Sequence, residues 1–173
     1  MWPREILSIS EVNALTPKQF EWLFGNIVEH YPDVTQYVAS VRPFVLVKNL
    51  KKTFHDYLDT LHTVEKKNIL LRYPDLAGRL AEGLTSTESE FGAANTKLEA
   101  MSKEEKKILS TYNGLYKAKF RFPFVICEHE IKIQTILTAM QMRLQNIRQN
   151  ELQIAMEEVK KMCSNRIDDL CIQ

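Results

Sequence analysis

Apolar residues in this chain recur at steps of three and four almost from end to end, which places them along one face of a helix rather than one face of a strand. Only five glycines and six prolines interrupt the pattern. The expectation is an all-α protein, a single-domain helical bundle over residues 1–173, since that length suits one domain. With 45% hydrophobic and 26% charged residues the chain can close a core, which excludes a disordered segment, a collagen or a coiled-coil rod.

Local signals divide the pattern into elements. Thr16-Pro17-Lys18-Gln19 reads as a capping box with proline at the first helical position, and it opens a stripe of Phe20, Leu23, Phe24, Ile27 and Val28 that should stop before Pro32. Val34, Tyr37, Val38 and Val41 form a second segment, ended at Arg42-Pro43-Phe44 because the residue before proline disfavours helix. Leu50, Phe54, Leu58 and Leu61 define a third helix, and Asn68 to Leu71 a short one running into a turn at Tyr73-Pro74-Asp75-Leu76-Ala77-Gly78. Residues 86–99 are weakly amphipathic. Ser102-Lys103-Glu104-Glu105 is a second capping box before Ile108, Leu109, Tyr112, Leu115, Tyr116 and Phe120. Phe122-Pro123-Phe124-Val125-Ile126-Cys127 is apolar on every side and holds a proline, so it is expected to cross the core in extended form. Two long helices follow, one with Ile133, Ile136, Leu137, Met140 and Leu144, the other with Leu152, Ala155, Met156, Val159, Met162, Cys163 and Ile167.

Charge and motif content remove several function classes. Lys+Arg 23 against Asp+Glu 22 gives a net charge of +1, so neither nucleic acid nor an anionic membrane is an expected partner. The three cysteines, Cys127, Cys163 and Cys171, form no CxxC pair and have no ligand-spaced histidine, so neither a disulfide framework nor a zinc site is expected. No Walker loop, GxGxxG, GxSxG or HExxH occurs. The opening Met-Trp-Pro-Arg-Glu lacks the regions of a signal peptide, and no apolar run approaches the roughly 20 residues of a membrane span, so a soluble protein is expected.

A few side chains stand out. His30, His55 and His62 lie on or beside charged helix faces and read as exposed structural residues, whereas His129 follows the apolar run and suits helix capping with Glu128 and Glu130, or a pocket. Lys103 to Lys107 and Lys160-Lys161 are interleaved with acids and read as solvated, ion-paired faces. Met140, Met142, Met156 and Met162 fall near core positions. Arg166 sits beside Ile167 on an apolar stripe, where a guanidinium takes a carboxylate partner, either a structural acid or an anionic ligand.

In order along the chain, Glu11-Val12-Asn13, Phe24-Gly25-Asn26, Arg42-Pro43-Phe44, Pro74-Asp75-Leu76-Ala77-Gly78, Tyr116 with Phe120, Phe122-Pro123-Phe124, and Glu158-Val159-Lys160-Lys161 with Arg166 make this sequence resemble the 2-oxo-4-hydroxy-4-carboxy-5-ureidoimidazoline (OHCU) decarboxylase family. The resemblance covers nearly the whole chain. It implies an all-helical fold of the OHCU decarboxylase type, a small anionic ureidoimidazoline substrate, no metal and no cofactor, a homodimer, and the last step from urate to (S)-allantoin. It also implies a peroxisomal setting in animals; the ending Leu170-Cys171-Ile172-Gln173 is not of the Ser-Lys-Leu type, so peroxisome or cytoplasm is the expected location.

The same resemblance exposes a departure. The family's turn reads His-Pro-Asp-Leu-Ala-Gly, and its catalytic histidine position is Tyr73 here. The family's Ser-x-x-Glu-Gln matches Ser89-Glu90-Phe91-Gly92-Ala93, which puts Gly92 at the catalytic glutamate position and Ala93 at the glutamine. A one-residue gap between Gly78 and Leu98 would bring Glu90 nearer the site. Pro74, Ser89, the substrate-contacting segment Phe124, Val125, Ile126, Cys127 and Glu128, and Arg166 as anion partner complete the implied site.

Loss of CO2 leaves a carbanion delocalised into the neighbouring ring carbonyl, and a proton must then arrive on one face. Positioned acid–base catalysis supplies about 10²–10⁴-fold, roughly 3–5 kcal/mol of barrier. A tyrosine with an ordinary pKa of about 10 donates hydrogen bonds but shuttles protons poorly at neutral pH. Weak turnover is therefore expected, with a catalytically inactive protein that binds a partner protein or an anionic ureide as the alternative. A third arrangement would gather Tyr73, Glu90, Glu128 and His129 into a new lyase site.

Overall fold

The structure, a computed structural model, describes residues 6–81, 101–127 and 132–172. Among them the regular elements are helices: α1 Ile9–Ala14, α2 Pro17–Phe24, α3 Pro32–Ser40, α4 Val47–Thr60, α5 Thr63–Leu70, α6 Leu76–Ala81, α7 Lys103–Phe120, α8 Ile133–Arg143 and α9 Arg148–Asp168. The all-α expectation holds, with a single isolated β-bridge pairing Leu7 with Cys171. Contacts gather into two compact units, Met1–Arg72 with Met156–Gln173, and Tyr73–Ala155.

Helix starts follow from the caps. Thr16 and Ser102 each accept from the backbone N–H three residues on while Gln19 and Glu105 reach back, so both expected boxes form. Ser8 with Glu11 makes a third at the start of α1. Pro32 opens α3 at its first position, where its missing N–H costs nothing.

In the first unit, α2 ends at Phe24, well short of the stop expected at Pro32. Ile27 and Val28 are nevertheless buried, carried inward by the turn after Gly25, where a Cβ would stand 2.3 Å from the Glu21 carbonyl oxygen. The core holds Phe20 stacked on Phe24 at 4.5 Å, Phe54, Leu58 and Leu70, and from α9 Val159, Cys163 and Ile167.

In the second unit, α7 packs on α6 and α8. Its apolar residues form one wide arc: Leu109, Tyr116 and Phe120 are buried, whereas Ile108 and Leu115, at one edge of it, are exposed. Met142 is likewise exposed, against the core placement expected for it. Phe122 to Ile126 runs buried and without regular structure, as expected for a core-crossing segment. Phe122 and Phe124 meet the Tyr116 ring edge-on at 6.0 and 5.3 Å, geometries worth about 0.5–1.5 kcal/mol each beyond burial.

Candidate functional site

In the second unit the site builds outward from Asp75. The expected turn covers only Tyr73 to Asp75; Leu76 already begins α6, and Gly78 lies inside it. Asp75 caps that helix: Oδ1 accepts from the Gly78 N–H at 3.1 Å, Oδ2 accepts from Lys117 at 2.8 Å, and Asn113 Nδ2 approaches Oδ2 at 3.5 Å. A Cβ on Gly78 would lie 2.6 Å from Asp75 Oδ2 and 3.1 Å from Asn113 Nδ2, so glycine is what lets these side chains converge. Tyr73 is buried at the head of this turn, and Pro74 beside it is half-buried.

The Phe124, Val125, Ile126 and Cys127 segment is anchored from behind. Arg143 Nη1 donates to the Val125 carbonyl at 2.8 Å, and the same guanidinium lies 4.3 Å from the Phe124 ring centroid. Glu151, fully buried, accepts from Arg143 at 2.7 Å, from the Tyr116 hydroxyl at 2.6 Å and from Asn146 at 2.9 Å. Burial, reinforced by the bond to Glu151 and opposed by Arg143, pushes the Tyr116 phenol far above its ordinary value, so it stays a donor.

In the first unit Arg166 has structural partners. Its guanidinium donates to the carbonyls of Asn26 at 2.7 Å and Ile27 at 3.2 Å and pairs with Glu29 at 2.7 Å. A structural acid, one of the two kinds of partner open to it from the sequence, is thus among its partners. Several fragments that carried the resemblance are also tied together in this unit. Asn13 exchanges two 2.8 Å hydrogen bonds with the backbone of Phe44, Arg42 donates to the Val12 and Leu15 carbonyls, and the Phe24-Gly25-Asn26 loop receives Arg166.

His55 and Lys160 are corrections. His55 is half-buried with Nε2 3.0 Å from the Lys160 carbonyl and 3.1 Å from Ser164 Oγ, and burial, only partly offset by that carbonyl, lowers its pKa. Lys160 is buried rather than solvated; burial disfavours its charge, but Asp59 at 2.5 Å and Glu157 at 3.0 Å outweigh that and raise its pKa. These residues line an open polar cavity of about 590 Å³ in which Lys52 pairs with Asp56.

Ser89, Glu90, Phe91, Gly92, Ala93, Glu128 and His129 lie outside the described residues. Asn113, Arg143 and Glu151 were not singled out from the sequence; the visible signal was two charges eight residues apart around a helix–helix turn, which periodicity does not flag. Among the described residues no helix is long and apolar enough to cross a membrane, and no three His, Cys, Asp or Glu side chains cluster as a metal site.

Helices in this order, a Pro-Asp turn at the head of α6 and a buried aromatic segment after α7 make an all-helical protein, and the comparisons place it in the ureidoimidazoline decarboxylase class. The OHCU decarboxylase family model matches residues 13–168. The 2-oxo-4-hydroxy-4-carboxy-5-ureidoimidazoline decarboxylase of Xenopus laevis is 40% identical over 165 residues, covering 95% of this chain and 94% of its own. The crystal structure of (S)-allantoin synthase superposes with a TM-score of 0.80 at 17% identity over 95% of this chain, which spans 54% of that one. That of an OHCU decarboxylase in the presence of (S)-allantoin gives 0.66 at 22% identity, over 90% of this chain and 98% of the other. At those identities the two structures show the fold. The chain belongs to the OHCU decarboxylase family.

Proposed function

We propose that this protein acts on 2-oxo-4-hydroxy-4-carboxy-5-ureidoimidazoline in urate breakdown, releasing CO2 and forming (S)-allantoin, with weak turnover. The observation that carries the reading is family membership across residues 13–168 together with Tyr73 at the head of the Pro-Asp turn. The bond from ring carbon to carboxyl carbon breaks, its electron pair passes into the adjacent carbonyl, and a proton is added to that carbon from one face. In this reading Tyr73 and Pro74 bound the pocket and the backbone of Phe124 to Cys127 holds the ureide. The resemblance assigns Ser89, Glu90, Phe91 and Ala93 to substrate binding as well. Tyr73 supplies a hydrogen-bond donor where the family has an imidazole, and Gly92 supplies no acid.

The chain works as one domain and as a homodimer, in the peroxisome or the cytoplasm, and the reading calls for no metal or cofactor. A second reading, an inactive member that binds the ureide or a partner protein, is favoured by the same two substitutions, Tyr73 and Gly92. Circular dichroism on freshly generated substrate separates the two. Spontaneous decay gives racemic allantoin, so a single-handed signal with the protein present supports decarboxylation, and decay left racemic supports binding alone.

A further inference from the structure

The carboxamide of Asn113 is 7% exposed and its Oδ1 has no hydrogen-bond partner among the described residues. Its Nδ2 spends one donor on Asp75 at the long distance of 3.5 Å. A buried acceptor left unmet is costly, and folded proteins rarely keep one without a use for it. Asp75 does not need this amide, because Lys117 and the Gly78 N–H already hold its two oxygens. The glycine at position 78 leaves room for the amide, since a Cβ there would crowd Nδ2 at 3.1 Å. An unmet buried acceptor therefore belongs to a side chain that touches Asp75, two residues along the chain from Tyr73.

We infer that Asn113 Oδ1 is a ligand-reading acceptor, which takes an N–H of the ureide or of its imidazolone ring. Asp75 fixes the amide's orientation, so that Oδ1 rather than Nδ2 faces the ligand. Asn113 is thus a specificity-determining residue: a ring oxygen or N-alkyl group in place of that N–H leaves the acceptor unmet. This inference rests on the ureide reading proposed above.

The test is calorimetric titration with (S)-allantoin of the intact protein, Asn113→Leu and Asn113→Ala, with melting temperatures for all three. Leucine fills the amide's volume without an acceptor, so Asn113→Leu is expected to melt no lower than the intact protein and to bind about three- to tenfold more weakly, the size of one neutral hydrogen bond. Titration with N-methylated allantoins adds a ligand-side readout that survives if leucine harms folding. The intact protein is expected to lose affinity when one particular nitrogen is blocked, and Asn113→Ala to lose that preference. Unchanged affinity in both variants, or an N-methyl preference that persists in Asn113→Ala, overturns the assignment while leaving the ureide reading standing. Absence of binding by the intact protein overturns both.

Discussion

Arg143 and Glu151 form a buried ion pair at 2.7 Å across the turn between α8 and α9, and its remaining hydrogen bonds reach Val125, Tyr116 and Asn146. The pair is the anchor of the segment assigned to substrate contact. Removing either partner alone leaves a buried charge, which costs about 3–5 kcal/mol, whereas an apolar pair of similar volume is far better tolerated. Urea denaturation should show Arg143→Met and Glu151→Leu each strongly destabilised and the double variant much less so than their sum. Simple additivity would mean that the two charges are independently solvated.

Gly78→Ala tests the convergence around Asp75. The added methyl would stand 2.6 Å from an oxygen already held by Lys117, so Asp75 must leave its cap. A loss of about 1–3 kcal/mol is expected in thermal melts, well above the small gain that Gly→Ala gives at an open helical site. Gly114, with nothing within 4 Å of a Cβ, is the control, and Gly114→Ala should be neutral or stabilising.

That contrast shows what the sequence made legible. Thr16 with Gln19 and Ser102 with Glu105 are readable because a cap and its partner lie three residues apart, and both boxes form. Asp75 and Asn113 are 38 residues apart, and Arg143 and Val125 are 18 apart, so nothing local ties either pair. On α7 the spacing does not tell which edge of the wide apolar arc is covered: Ile108 and Leu115, at one edge, are exposed, while Leu109 and Tyr116 are buried. His55 looked solvated because its neighbours on α4 are charged, while the atoms that bury it, the Lys160 carbonyl and Ser164, come from α9. The resemblance to the family was legible because its fragments keep their order; the partner Glu29 of Arg166 was not.

Stability should fall on mild acidification because of His55. Its folded pKa is below the ordinary 6.5, so the unfolded chain takes up a proton first as pH drops and unfolding is favoured from about pH 6.5 down to the folded value. Above pH 6.5 both states are neutral and the contribution is complete. Melts of the intact protein and His55→Gln between pH 7.5 and 5 should diverge in slope below about pH 6.5, with the variant flatter. Parallel curves would show that His55 titrates alike in both states.

Arg121 closes α7 in the left-handed region at φ 66°, a conformation that costs a residue with a Cβ about 1–2 kcal/mol. Its side chain is exposed. Arg121→Gly should stabilise the protein by about 0.5–1 kcal/mol, part of the relief being offset by the flexibility glycine adds to the unfolded chain. A lower melting temperature would mean that the arginine side chain makes a contribution larger than its backbone strain.

The central proposal is that this chain keeps the family's pocket as well as its fold, with Tyr73 and Gly92 standing at the two proton-handling positions that the resemblance implies. The direct measurement is the circular dichroism assay on Tyr73→His with Gly92→Glu beside the intact protein. Production of (S)-allantoin in the double variant about 10²–10⁴-fold faster than in the intact chain is the predicted result. Equal single-handed rates in both proteins would contradict the account, because the proton would then come from elsewhere in the site.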